Sequence, residues 1–165
     1  MADLQRLTTE YCDVEDRVRL TGAVTDQAPV VLWLTQRLLQ RLVPPLVQWL
    51  EQSGRALPRA DVLQSFAQHA AQAELIPQAP VRGGADSASW LVHSIEFAST
   101  DRVVRLTFKG ADRHVATLTM TATLLRQWMA ILHMACRKAG WPLDLWPAWM
   151  TETTAPAKPA AMALH

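Results

Sequence analysis

The chain has 165 residues, a formal net charge of +1, 50% hydrophobic residues and 19% charged residues. That composition suits one compact domain with a core of its own and excludes a disordered or fibrous chain. A charge so close to zero also excludes a whole-molecule field that would gather nucleic acid or anionic lipid, so any such role must rest on a local patch.

Met1-Ala2-Asp3-Leu4-Gln5-Arg6 lacks the basic-then-apolar order of a secretory signal, and no apolar run approaches the roughly 20 residues of a membrane span. The expected compartment is the cytoplasm, with no transmembrane segment. Cys12 and Cys136 are too few and too far apart for a disulfide framework, and both are expected reduced.

After a polar start, the first predicted element is a strand over 17–24, where Val18, Leu20 and Val24 alternate with Arg19 and Thr21. Thr25-Asp26-Gln27-Ala28 supplies a turn, and 29–34 returns as the second strand of a hairpin. Thr35 has the chemistry of an N-cap. The helix it opens carries Leu39, Leu42, Val43, Leu46, Val47 and Leu50 on one stripe, with a kink or break expected at Pro44-Pro45 and an end at Gly54.

A shorter helix over 61–74 is expected to carry Val62, Phe66 and Ala70 on one face, and 76–87, with its Gly83-Gly84 pair, reads as a connecting loop. Three strands are predicted at 90–97, 103–109 and 115–120. Thr121 repeats the capping chemistry before a helix that buries Leu124, Leu125, Trp128, Ile131, Leu132 and Ala135 and stops at Gly140 and Pro142.

Sliding the chain by 86 residues aligns 18–46 with 104–132, and ten of the 29 positions match, including Asp26/Asp112 and Thr35/Thr121. Two ββα units, about 16–53 and 101–140, are therefore expected. Joined by the connecting helix and loop, they give an α+β domain over 1–150: an antiparallel sheet of about five strands with helices on one face, followed by a disordered Ala/Pro/Thr-rich tail at 151–165.

Strand alternation then defines a second sheet face. It holds Arg19, Thr21, Val31, Trp33, Arg105, Thr107 and Lys109, too apolar for plain solvent and too polar for a core. Trp90 and Val92 join it if Leu91, His93, Ile95 and Phe97 serve the core. Such a face calls for a cover: self-association, another protein, or the C-terminal segment, where Trp141, Trp146 and Trp149 fall within ten residues.

Phosphate-loop, HExxH, CxxC and GxSxG motifs are absent from the sequence. His133 and Cys136 share a helix face without a third ligand at a metal-site spacing, and His69 and His93 read as ordinary part-buried residues. No catalytic residue, cofactor or metal site is assigned. The expectation is a non-enzymatic interaction or assembly protein, homodimeric, using the sheet face and the Trp segment. Weak nucleic-acid binding through the Arg/Trp face ranks second, and an enzyme with scattered site residues third.

Overall fold

The computed structural model describes residues 1–52 and 56–152, and its first element lies where the sequence pattern predicts none. Strand β1 covers Ala2–Cys12. It is hidden from a period-two reading because Leu4 and Leu7 are three residues apart, and the extra residue is taken up by a register shift between Leu4 and Arg6.

Seven strands follow one another through the sheet: β1, β2 (Arg17–Val24), β3 (Val30–Leu34), β4 (Ser89–Leu91), β5 (Ser94–Ser99), β6 (Val103–Lys109) and β7 (Val115–Thr121). Their order in space is β4-β3-β2-β1-β7-β6-β5. The expected five-stranded antiparallel sheet is thus replaced by a seven-stranded mixed sheet, a half-barrel in which β1–β7 and β3–β4 are parallel and the remaining pairs antiparallel. The overall α+β class stands.

The single strand expected over 90–97 is two strands on opposite edges of that sheet. Only Val92 and His93 separate them, the Val92 N–H donating to the Trp33 carbonyl and the His93 N–H to the Lys109 carbonyl. The chain steps there from one rim of the half-barrel to the other. Gly110 permits the step, since a Cβ on it would lie 2.5 Å from Trp90 Cε3 and 3.0 Å from the Leu91 carbonyl oxygen. Trp90 and Val92 are accordingly buried in the core and do not lie on an outer face, while His93 and Phe97 are exposed.

Hairpins β2–β3 and β6–β7 pair in the same register once 86 is added to each number: Val18↔Leu34 becomes Val104↔Met120, and Gly22↔Val30 becomes Phe108↔Ala116. The parallel contacts correspond as well, with 86 added to one partner and subtracted from the other, so that Val31↔Ser89 matches Thr117↔Asp3. Asp26 and Asp112 both adopt positive φ in their turns, a conformation that Asp tolerates.

Helices α1 (Gln36–Gln52) and α3 (Ala122–Ala139) share the core with the sheet. Thr35 Oγ1 accepts from the Leu38 N–H and Thr121 Oγ1 from the Leu124 N–H, the same cap in both. Contrary to the expected break, α1 runs through Pro44 and Pro45. The carbonyls that lose partners there belong to Gln40 and Arg41, both exposed, so water can replace the missing donors. Gly140, at φ 69°, ends α3 with a left-handed cap.

Helix α2 (Ala60–Ala73) connects the halves, and α4 (Ala148–Thr151) closes the described chain. The helix end expected at Gly54 and the tail from Thr153 onward lie outside the described residues. Among the described residues, no helix is long and apolar enough to cross a membrane.

Candidate functional site

Three surfaces carry the residues that chemistry could use: the outer sheet face, the outward side of α2, and a cleft at the N-terminal end of α3.

On the sheet face, Thr21 is buried, because the loop after α2 crosses it: the Val81 N–H donates to Thr8 Oγ1 at 2.7 Å, and Gly83 abuts Val31. That loop, not the C-terminal segment, covers this part of the face. Arg19 is ion-paired with Glu10 and stands 5.9 Å over the Trp33 ring, while Trp33 Nε1 donates to Ser89 Oγ. Lys109 is ion-paired with Glu96, which leaves Arg105 exposed beside half-buried Thr107. Two of the three cations read from the sequence therefore have acidic partners, and the Trp33 face is occupied by a guanidinium.

The Trp segment packs on its own domain. Trp141 donates to Asp16 and meets Tyr11 edge-on, Trp146 lies edge-on to His133, and Trp149 Nε1 donates to Glu51 at 2.9 Å. Asp16 also accepts from the Tyr11 hydroxyl, which is the main reason that phenol is pushed up to about 12. Burial raises the Cys136 thiol to about 11 and lowers His133, with Arg137 adding to the latter. Among the described residues no three His, Cys, Asp or Glu side chains are arranged to hold a metal ion.

Helix α2 reverses the orientation expected from its pattern. Gln64, Gln68 and Ala71 are buried, whereas Val62 (42% exposed), Leu63 (43%) and Phe66 (68%) face outward. The cause is a hydrogen-bonded layer between α2 and α3. Gln64 donates to the Leu50 carbonyl, Gln68 to the Arg126 carbonyl and Gln127 to the Ala71 carbonyl, while Arg126 donates to Gln64 Oε1. Amide side chains hold the inward side against its neighbours, with Gln68 Oε1 left unpartnered, so the apolar stripe is left to solvent. A signal for this was present: from Val62 to Ala73 the helix contains no Asp, Glu, Lys or Arg.

The third surface is a cleft of about 570 Å3 bounded by Trp49, Leu50 and Gln52 at the end of α1, Ser99, Thr100 and Asp101 at the β5–β6 turn, and Ala122 and Arg126 of α3. Its size falls within the range of small-molecule pockets. Trp49 Nε1 donates to the Thr100 carbonyl, tying helix to turn across the cleft. Arg126 is only 6% exposed, stands 5.3 Å over the Trp149 ring, and forms no ion pair among the described residues. Desolvation lowers its pKa from the ordinary value. A buried arginine is not legible in a sequence where Arg reads as solvent-facing. His69, His93 and His133 do not line this cleft.

Comparison with family models, with curated proteins and with solved structures returned no match.

Proposed function

We propose that this chain is a non-enzymatic assembly protein that pairs with a second copy of itself through the outward side of α2. The observation that carries the reading is the solvent-facing stripe Val62, Leu63 and Phe66 on a helix whose opposite side is buried and hydrogen-bonded to its neighbours. Exposed contiguous apolar surface of this kind marks association sites.

A second copy fits because the stripe is self-complementary about its centre. An antiparallel pairing around a two-fold axis near Phe66 sets Arg59 of one copy beside Glu74 of the other, and Leu57 beside Ile76, two exposed apolar residues flanking the helix. Opposite charges then close each end of an uncharged seam. The sheet face is a poorer candidate, because its centre is already covered by the Val81 loop and two of its cations are paired. The same pairing weakens the nucleic-acid reading, since neutralised cations release few counterions.

Light scattering across a concentration series tests this. The expected result is a dimer for the parent chain, a monomer with unchanged circular dichroism for Phe66→Asp, weakened pairing for Arg59→Glu, and recovery in Arg59→Glu/Glu74→Arg. A parent chain that stays monomeric at about 100 µM removes the proposal, because a specific contact with one or two buried aromatic anchors should be populated there.

A further inference from the structure

We infer that the cleft at the N-terminal end of α3 binds a small organic oxyanion, its carboxylate or phosphate taken by Arg126 and its apolar body laid against Trp49. Arg126 is buried, its described polar partners are the neutral side-chain and backbone oxygens of Gln64, and no carboxylate among the described residues pairs with it. A desolvated guanidinium without a counter-charge is costly, and an anion at that point would relieve the cost.

The helix terminus adds to the same field. Ala122, the first residue of α3, lines the cleft, and its N–H is among those without a partner inside the helix; the Thr121 side chain caps Leu124 and leaves the earlier groups free of it. A fork-shaped donor and the positive end of an 18-residue helix therefore converge on one opening. Asp101, exposed on the opposite wall, does not pair with Arg126 and favours a ligand carrying a hydroxyl or ammonium at its far end. The site is separate from the outward side of α2, so this inference stands whether or not the chain dimerises.

Nuclear magnetic resonance titration at constant ionic strength tests it, with benzoate as the organic carboxylate, inorganic phosphate as the bare oxyanion, and benzamide as the neutral isostere. Saturable shifts of the Trp49 indole N–H and the Ala122 amide are expected with benzoate, with benzamide binding roughly tenfold or more weakly. A response to phosphate as tight as that to benzoate assigns the site to phosphate head groups; a weaker one assigns it to carboxylates with an apolar body. Gln64→Glu, which places a carboxylate on Arg126 at the cost of the donor to the Leu50 carbonyl, should abolish binding, with circular dichroism checking that the fold is kept. Ala122→Glu should do the same from an exposed position where a helix tolerates acid. Absence of saturable shifts with benzoate and phosphate at about 10 mM, equal binding of benzamide, or undiminished binding in both variants overturns the inference.

Discussion

Helices α2 and α3 lie against each other, yet they solve opposite problems. Helix α3 sends Leu125, Met129 and Leu132 into the sheet and so contributes to the core, although Leu124 and Ile131, expected on its buried side, are exposed. Helix α2 turns three amide-bearing or small residues inward, binds α3 through hydrogen bonds, and leaves its apolar residues outside. The difference teaches that an amphipathic pattern specifies two faces but not which of them points in. Once a helix is held in place by a buried polar layer, its apolar face is available for something else.

The contrast can be broken most directly by paired truncations. Leu132→Ala should destabilise the monomer by about 2–5 kcal/mol, as large-to-small changes in a packed core do, whereas Phe66→Ala should change it by no more than about 0.5 kcal/mol. Urea unfolding at a concentration low enough to suppress association measures both. An equal loss at Phe66 would place that ring inside the fold and remove the distinction between the helices.

The polar layer itself is probed by Gln64→Leu, which takes away both the acceptor of Arg126 and the donor to the Leu50 carbonyl. The expected cost is about 1–3 kcal/mol, the penalty of a buried group left without its partner. A neutral or stabilising result would mean that packing alone seats α2 on α3.

The smallest effect concerns His133, buried with Nε2 unpartnered and edge-on to Trp146. Its folded pKa lies below its ordinary value of 6.5. Below that value the unfolded chain takes up a proton that the folded chain resists, so stability falls as pH drops through 6.5 toward the lowered pKa. His133→Phe should remove that part of the acid-side decline, visible as a smaller difference between urea midpoints measured at about pH 7.5 and about pH 5.5. An unchanged difference would assign the acid sensitivity to other groups.

What the sequence made legible follows the same division. Hairpins β2–β3 and β6–β7, their capping threonines and the inward residues Val18, Leu20, Leu32, Val104, Leu106 and Phe108 were readable because local alternation and cap chemistry decide them. Strand β1 was not, since an irregularity at Leu4/Arg6 breaks its period and threonines stand in its alternating pattern. The split of 90–97 between two sheet edges was not either. Strand patterning does not encode which neighbour a strand joins, and here the crossing between edges is permitted by the close approach at Gly110. The inversion of α2 and the burial of Arg126 depend on partners 14 to 62 residues away in the chain, beyond any local periodicity.

Strand β1 carries one more consequence. It joins the two halves of the sheet, pairing with β2 close by in the sequence but with β7 only across 114 residues of chain. Until β7 is in place, the other edge of β1 stays open, so the seam that unites the sheet is a long-range contact of the kind that slows folding.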